Sequence, residues 1–239
     1  MDRKDFLYNK LTQLDIEPTE NQISQLILYF EMLVEKNKVM NLTAITDFEE
    51  VVIKHFIDSL AIVKVIDFEC VDSVADIGTG AGFPGIPIKI MFPHVKVMLA
   101  DSLNKRVLFL RDVISTLNLK DVQAVHGRAE DLGCDVNYRD RFDLCVSRAV
   151  ANMSVLSEYC IPFVKPGGKF VSYKAGNSEE EIALAKKAVK ALNGEIERIQ
   201  EFELPETDIK RTFAVIKKTG KTPKAYPRKS GTPSKNPIC

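Results

Sequence analysis

The chain has 239 residues, 45% of them hydrophobic and 28% charged, which is the composition of a globular protein with a sizeable core. Basic and acidic residues balance at 33 each, and no apolar run approaches the roughly 18–20 residues of a membrane span. The N-terminus lacks the apolar segment of a secretory signal, and the five scattered cysteines show neither disulfide-framework nor zinc-site spacing. The sequence therefore predicts a cytoplasmic protein with reduced thiols and without a bound metal or a membrane partner.

Residues 1–65 are predicted to form an N-terminal helical cap. Apolar residues recur at helical spacing over residues 23–34, and Thr19 with Gln22 predicts a capping box before them. Asp47 with Glu50 predicts a second capping box, at the start of a helix that continues to residue 60.

Residues 66–218 alternate between strands and helices, which predicts a Rossmann-like α/β domain with a mostly parallel seven-stranded sheet flanked by helices. The last two strands are joined by a short connection and must pair antiparallel, because a parallel crossover needs far more chain. The predicted strands are Val74–Ile77, Val95–Ala100, Val122–Val125, Phe142–Val146, Lys169–Tyr173, Ile196–Leu204 and Thr212–Lys217, and the clearest helices are Lys105–Leu117 and Ser178–Leu192.

Residues 219–239 are predicted to form a basic, flexible tail. Residues 217–239 contain seven of the lysines and arginines, four prolines and no acidic residue. A segment of this composition is expected to bury too little apolar area to order itself. The tail is either a solubilising end or an arm that neutralises nucleic-acid phosphates.

A glycine-rich loop follows the first strand, in the segment Ser73-Val-Ala-Asp-Ile-Gly-Thr-Gly-Ala-Gly-Phe-Pro-Gly85. Gly78, Gly80 and Gly82 permit a sharp turn and the close approach of a ligand to the backbone. Phe83 interrupts the G-x-G-x-x-G pattern, in which a helix N-terminus binds a pyrophosphate. A sulfonium cofactor has no phosphate, and Asp76 is placed to bind its amino-acid part.

Polar residues at the ends of three further strands are candidates for the same crevice, because ligands bind outside the carboxyl ends of such strands. Asp101 ends the second strand 23 residues after Gly78, near the spacing of about 20 at which an acid reaches ribose hydroxyls. Ser102 follows it, and the alternative for Asp101 is a surface turn. Ala129 and Glu130 come after the third strand and are candidates for the adenine edge. Arg148 comes after the fourth, either as a structural ion-pair partner or as a site residue.

A sulfonium cofactor donates methyl groups, and the sequence around the fourth strand restricts which atom could accept one. The chain has no (Asp/Asn)-Pro-Pro-aromatic segment of the kind used to methylate exocyclic amines, and Cys145 lies within the strand. A nucleophilic cysteine for attack on a pyrimidine carbon would need a loop, so Cys145 is predicted to be a core residue. Methylation of a ring nitrogen such as guanine N7 needs neither of these features, because its lone pair lies in the ring plane and is free. Alignment of N7 with the methyl group and the sulfur, and exclusion of water, are then sufficient.

The chain resembles the ribosomal RNA small subunit methyltransferase G family, also called glucose-inhibited division protein B, along essentially its whole length. The resemblance is carried by Asn41-Leu-Thr-Ala-Ile-Thr, His55-Phe-Ile-Asp-Ser-Leu60, Asp76-Ile-Gly-Thr-Gly-Ala-Gly-Phe-Pro-Gly-Ile-Pro87, Asp101-Ser-Leu-Asn-Lys-Arg106, Ser147-Arg-Ala149 and Tyr173-Lys174. It implies a class I methyltransferase that transfers a methyl group from S-adenosyl-L-methionine to N7 of a guanine in 16S rRNA or the 30S subunit. It also implies cofactor contacts at Gly78, Phe83, the Ala129–Glu130 segment and Arg148.

Four residues are candidates for the acceptor side of the reaction: His55, Asp58, Arg148 and Lys174. His55 and Asp58 stand at i, i+3 on one helix face, where they either border the target guanine or join the cap to the sheet. Arg148 or Lys174 could donate to guanine O6, whereas a bidentate arginine on O6 and N7 would block the acceptor. His55 is given no general-base role, because N7 carries no proton to remove.

Two other functions stay open at this point. The chain could be a small-molecule or protein methyltransferase, because the same fold serves both. It could also be a non-catalytic RNA-binding assembly factor, in which the cofactor pocket would be vestigial. The chain is expected to be monomeric.

Overall fold

The computed structural model describes residues 2–148, 151–176 and 178–238. Seven strands form a single sheet: β1 (Ser73–Ile77), β2 (Lys96–Asp101), β3 (Val122–His126), β4 (Phe142–Arg148), β5 (Val164–Ala175), β6 (Gly194–Glu203) and β7 (Lys210–Lys218). Their order is β3-β2-β1-β4-β5-β7-β6, with β1 to β5 parallel and β7 antiparallel to both of its neighbours. The chain order reverses between β1 and β4, which is where open sheets of this kind bind ligands.

Eleven helices in the described part of the chain surround the sheet: α1 (Arg3–Thr12), α2 (Glu20–Met40), α3 (Phe48–Val51), α4 (Asp58–Leu60), α5 (Gly85–Met91), α6 (Asn104–Thr116), α7 (Ala129–Cys134), α8 (Met153–Cys160), α9 (Glu179–Leu184), α10 (Lys186–Ala191) and α11 (Thr232–Lys235). A π-helical turn, Val52–Ile57, joins α3 to α4, and short 3-10 turns span Ala61–Lys64, Phe68–Cys70 and Ile161–Phe163. None of the described helices is both long and apolar enough to cross a bilayer.

The two faces of the sheet bury two separate hydrophobic clusters. Side chains alternate along each strand, so Val74 and Val146 enter one cluster while Ala75 and Cys145 enter the other. The first cluster also contains the N-terminal helices, α5 and α6, and the second contains α8, α9 and α10. The N-terminal helices therefore cover one face of the sheet, and Cys145 is the core residue that the sequence predicted.

Most of the predicted elements are confirmed. All seven strands occur where they were predicted, although β5 begins earlier, at Val164, and a turn at Ala185 divides the predicted 178–192 helix into α9 and α10. The capping box of Thr19 and Gln22 is present in both directions. At Asp47 only half of the predicted box forms, because the Glu50 carboxylate pairs with Lys54 instead.

The prediction of a flexible tail differs from the structure. Residues 219–238 lie against the body of the protein, with Thr222, Pro227 and Pro233 buried. Apolar area was the wrong criterion, because the contacts are mainly polar and ionic and because proline loses little chain entropy on ordering. The boundaries at residues 65 and 218 stay predictions.

Candidate functional site

The glycine-rich loop after β1 is held from the N-terminal helices. The hydroxyl of Tyr29, on α2, donates to the Ala81 carbonyl at 2.6 Å. Gly82 has a φ of +111°, and a Cβ there would lie 2.7 Å from both the Tyr29 hydroxyl and Ile86. At Gly80, with a φ of +62°, no heavy atom of the described residues would lie within 4 Å of an added Cβ. The loop is therefore packed tightly at Gly82 and open at Gly80.

Asp76 is a buried carboxylate beneath this loop. Its Oδ2 accepts from the Thr79 hydroxyl at 2.7 Å and from the Gly85 amide at 2.8 Å. Its Oδ1 has no hydrogen-bond partner among the residues that the structure describes. Burial raises the pKa of Asp76 to about 7, against the lowering effect of those two hydrogen bonds. Because an unsatisfied buried oxygen is costly, Asp76 is suited to a ligand that brings an N–H donor or a cation.

Asp101, at the end of β2, supports the other side of the loop. Its Oδ2 accepts from the Gly80 amide at 2.9 Å and from Arg106 at 3.3 Å, and its Oδ1 accepts from the Leu103 amide at 2.8 Å. The residue is only 3% exposed, which contradicts the alternative of a surface turn. Asp101 thus holds the loop at Gly80, and its carboxylate keeps about one lone-pair site, on Oδ1, for a ligand.

A cavity of about 270 Å³ lies at the carboxyl ends of β1, β2 and β3. It is lined by Ile77, Gly78, Ala100, Asp101, Ser102, Gly127, Arg128, Ala129, Glu130, Tyr159, Gly231 and Ser234. The list includes all four residues that the sequence predicted after β2 and β3. Tyr159, Gly231 and Ser234 were not predicted, because nothing in their local sequence indicates that they reach this cavity.

A larger cavity, of about 820 Å³, lies at the amino ends of β1 and β2. Its lining includes residues 65–69, just before β1, and residues 91–94, just before β2. The smaller cavity is the candidate site, because ligands of such sheets bind at the carboxyl ends of the strands.

Phe83 is the centre of an aromatic and cationic cluster beside the loop. The His55 ring stacks on it with centroids 4.7 Å apart and an interplanar angle of 24°. The Arg148 guanidinium lies 5.1 Å from the ring centroid, and Tyr29 packs against Phe83 at 5.3 Å. Residues from α2, the π-helical turn, the loop and β4 thus meet at the end of β4, and π-helical turns are frequent at functional sites.

Asp58 binds two arginines. It is 4% exposed, and it accepts from Arg148 at 2.9 Å and from Arg211 Nε at 2.7 Å. One carboxylate between two guanidinium groups leaves a net positive charge at the edge of the cluster. Arg148 is therefore an ion-pair partner, as one of its two alternatives predicted, and its role as a site residue stays a prediction. Arg211, on β7, was missed because its position depends on strand register.

His55 is held as a neutral side chain. Its Nε2 lies 2.9 Å from the Thr43 hydroxyl, and its Nδ1 lies 3.1 Å from the Lys54 carbonyl. The tautomer with its proton on Nδ1 satisfies both contacts. Burial first, and then the positive charge of Arg148, lowers the pKa of His55 to about 4. Both ring nitrogens are engaged, and the absence of a general-base role for His55 stays a prediction.

Lys174 lies apart from this cluster. Tyr173 stands opposite Arg148 in the register of β5 on β4, so the next residue, Lys174, projects to the other face of the sheet. Its ammonium group donates to the Ala151 carbonyl at 2.8 Å and to Glu181 at 2.6 Å. The structure thus brings together three of the four predicted acceptor-side residues and separates the fourth. Ala149, the end of the Ser147-Arg-Ala149 motif, lies outside the described residues.

Comparison with solved structures supports the fold. The ribosomal protein L11 methylase of Lactobacillus delbrueckii matches with a TM-score of 0.51 and 17% identity, covering 68% of this chain and 77% of its own. The TYW2 protein of M. jannaschii, solved in complex with AdoMet, matches with a TM-score of 0.50 and 16% identity, covering 62% and 69%. At this identity the likeness shows the class I methyltransferase fold alone.

Comparison with curated protein sequences shows the family as well as the fold. The ribosomal RNA small subunit methyltransferase G of Acetivibrio thermocellus is 51% identical over 100% of both chains. The protein of the same name from Listeria monocytogenes is 50% identical over 95% of this chain and 96% of its own. A family model described as rRNA small subunit methyltransferase G matches residues 22–210. The chain belongs to the rRNA small subunit methyltransferase G family.

Proposed function

We propose that the chain transfers a methyl group from S-adenosylmethionine to N7 of a guanine in 16S rRNA. The observation that carries this proposal is the meeting of two groups of residues at the ends of β1 and β4. One group, Asp76 with the glycine-rich loop, suits the methyl donor. The other, in which His55 stacks on Phe83, suits a planar acceptor. The names of the relatives supply the small-subunit rRNA as the acceptor class.

The residues present fit S-adenosylmethionine, which supplies an activated methyl group on a sulfonium centre when bound. Asp76 Oδ1 lacks a partner among the described residues, and the amino group of a methionyl part would satisfy it. The backbone is open at Gly80, where a side chain would obstruct a ligand. Asp101 and Glu130 lie in one cavity, where carboxylates can accept from ribose hydroxyls and from an adenine amino group.

The acceptor-side residues support a reaction without proton removal. Guanine N7 presents an unprotonated lone pair in the ring plane, so it needs no general base. His55 has both ring nitrogens engaged and Asp58 is bound to two arginines. We assign these side chains to holding the base in line with the methyl group and to excluding water. Arg148 keeps a guanidinium N–H for guanine O6, as a single donor that leaves N7 free.

The test is methyl transfer by the purified chain with labelled S-adenosylmethionine. Naked 16S rRNA and 30S subunits, both from cells that lack the modification, are offered in parallel, and the product nucleosides are separated by mass spectrometry. We expect 7-methylguanosine. Label in another nucleoside would overturn the N7 assignment, and label only in protein or small-molecule fractions would support the alternative function.

The lysines of the C-terminal segment are proposed to bind the phosphate backbone of the RNA. Five of the seven basic residues in 217–239 are exposed: Lys217, Lys221, Lys224, Lys229 and Lys235. Lys218 and Arg228 are instead bound to Asp140 and Glu158. Replacing the five exposed lysines by glutamine should weaken RNA binding and flatten its dependence on salt. An unchanged slope of binding against salt concentration would remove this role.

We also propose that the enzyme acts as a cytoplasmic monomer. The large exposed hydrophobic residues of the described chain, such as Val39, Val136 and Leu184, come from separate parts of the chain. Light scattering on the eluted protein should give the mass of one chain, and a dimer mass would contradict the proposal.

A further inference from the structure

The segment of residues 226–235 borders the cavity that contains Asp101 and Glu130. Gly231 and Ser234 contribute to its lining, together with Tyr159 of α8. The Gly231 amide donates to Glu130 Oε1 at 2.7 Å, and the Ser230 hydroxyl donates to Asp131 at 2.7 Å. The segment therefore contacts the two acidic residues that begin α7.

An ion pair fastens this segment to α8. The Arg228 guanidinium donates to both carboxylate oxygens of Glu158, with Nε at 3.0 and 3.1 Å and NH2 at 2.7 Å. The Arg228 backbone amide donates to the same carboxylate at 2.7 Å. Glu158 is 1% exposed, so these donors compensate the burial of its two carboxylate oxygens. Glu158 and Tyr159 are consecutive, so the ion pair lies next to a residue that lines the cavity.

The segment is also fixed before it reaches the cavity. Lys218, the last residue of β7, is 1% exposed and donates to the Ile161 carbonyl at 2.8 Å and to the Thr222 hydroxyl at 2.6 Å. Pro227 lies close to Gly133, where a Cβ would come within 3.2 Å of its ring. Attachments at Thr222, Pro227 and Arg228, all before the cavity residues Gly231 and Ser234, make the segment a fixed wall.

We propose that residues 226–235 form a wall of the pocket for the adenosine part of S-adenosylmethionine, with Tyr159, Gly231 and Ser234 as contacts and Arg228 as the positioning residue. This inference rests on the proposed use of the cavity by the cofactor. The Gly231 amide donates to Oε1 of Glu130 and so orients the carboxylate. The other oxygen, Oε2, is then available to accept from the ligand. By linkage, a bound ligand in turn stabilises the segment against detachment.

The first experiment measures the Kd of S-adenosylmethionine by calorimetry. Arg228→Ala, and a chain that ends at Ala225, should each raise the Kd by about tenfold or more, as expected for loss of an oriented charged contact. Lys190→Ala is the control, because Lys190, on α10, is exposed and does not line the cavity. We expect its Kd to stay within about twofold of the wild-type value. Circular dichroism and thermal melting show whether each variant folds.

The second experiment uses the unmodified full chain and does not depend on folding of a variant. Hydrogen exchange is followed with and without S-adenosylmethionine, and we expect the ligand to slow exchange in residues 226–235. An unchanged Kd in a folded Arg228→Ala chain, or equal exchange with and without ligand, would overturn the inference.

The two proposals fail in different ways. A wild-type chain that binds S-adenosylmethionine with protection of residues 226–235, but methylates no RNA, would overturn the proposed substrate and support the wall. A wild-type chain that binds no S-adenosylmethionine would overturn both proposals.

Discussion

Arg148, at the end of β4, and Asp58, in the N-terminal helices, form a buried ion pair of 2.9 Å across the domain. The pair exists because Arg148 and Tyr173 stand opposite each other in adjacent strands and project to the same face of the sheet. Tyr173 reaches the same helix, with its hydroxyl 2.7 Å from the Ser59 carbonyl. These two contacts fix the position of the N-terminal helices on the sheet, at the point where the acceptor is proposed to bind.

We expect Asp58→Asn to lower the rate of methyl transfer more than it lowers the affinity for S-adenosylmethionine. Loss of the carboxylate releases both Arg148 and Arg211, and misplacement of a positioning group by about 1 Å costs on the order of 10²-fold in rate. The change should also destabilise the fold by about 1–3 kcal/mol. Single-turnover kinetics with 16S rRNA and urea unfolding measure the two effects.

The control for Asp58→Asn is Asp112→Asn. Asp112 forms a loose, exposed ion pair with Lys36, at 3.9 Å, so it should change stability by less than about 0.5 kcal/mol. Equal effects of the two variants on the rate would contradict the positioning role of Asp58.

The titration of His55 should make stability depend on pH. Its pKa in the folded chain, about 4, lies below its ordinary value of 6.5. Between these values the unfolded chain binds the proton and the folded chain does not, so this part of the stability is lost as the pH falls from 6.5 to 4. The loss amounts to at most about 3 kcal/mol. Urea unfolding of the wild type and of His55→Asn across this range measures it.

The difference in unfolding free energy between wild type and His55→Asn is the quantity to compare, because Asp76 titrates with the opposite sign. A difference that stays constant from pH 4 to pH 7 would show that His55 is not buried in its neutral form.

Asp76 should couple binding of S-adenosylmethionine to release of a proton. Burial raises its pKa from 3.8 to about 7, so the ligand-free protein holds a proton there over much of that range, and a cationic amino group would expel it. Calorimetry in two buffers of different ionisation enthalpy, near pH 6, should show this release. Asp76→Asn should abolish it and weaken binding.

The stability of ligand-free Asp76→Asn gives an independent check. A carboxyl group with a raised folded-state pKa loses its contribution to stability as the pH rises through 3.8 to 7. The neutral amide avoids that loss, so Asp76→Asn should be more stable than the wild type at pH 8 without ligand. Lower stability at pH 8, together with unaltered proton release, would contradict this account of Asp76.

Gly80 and Gly82 should differ in how they tolerate alanine. Gly82→Ala places a Cβ 2.7 Å from Tyr29 and Ile86, so it should destabilise the fold and displace the loop. Gly80→Ala meets no described atom within 4 Å and should cost only about 1–2 kcal/mol of backbone strain. It should still raise the Kd of S-adenosylmethionine by about tenfold, because the new methyl group occupies open space in the loop. Thermal unfolding and calorimetry distinguish the two, and equal stability losses would contradict the packing at Gly82.

The strands and the cofactor loop were predictable because their signals are local. The apolar run from Val74 ends at Gly78, and a carboxylate follows at Asp101 with the expected spacing. The pairing of Asp58 with Arg211 was not predictable, because the two residues are separated by 153 positions and meet only through the register of β7 on β5. Lys174 was misplaced for the same reason, since one step along a strand reverses the face.

The C-terminal segment shows a different limit of sequence reasoning. In the sequence Arg228 is one of seven basic residues in residues 217–239, and no motif includes Glu158. Only the fold brings them together. Net charge and hydropathy, summed over a segment, do not report whether a few specific partners exist elsewhere in the chain.

The π-helical turn Val52–Ile57 lies in the helical segment that carries His55 and Asp58. The direction in which Asp58 points therefore depends on the number of residues in this turn. A helical position advances by about 100° per residue, so removing one residue from this turn would rotate everything downstream by about that angle. Asp58 would then face away from both arginines, although every amino acid type in the motif would be retained. In comparisons among relatives, a one-residue gap here would separate functional from non-functional sites more sharply than most substitutions.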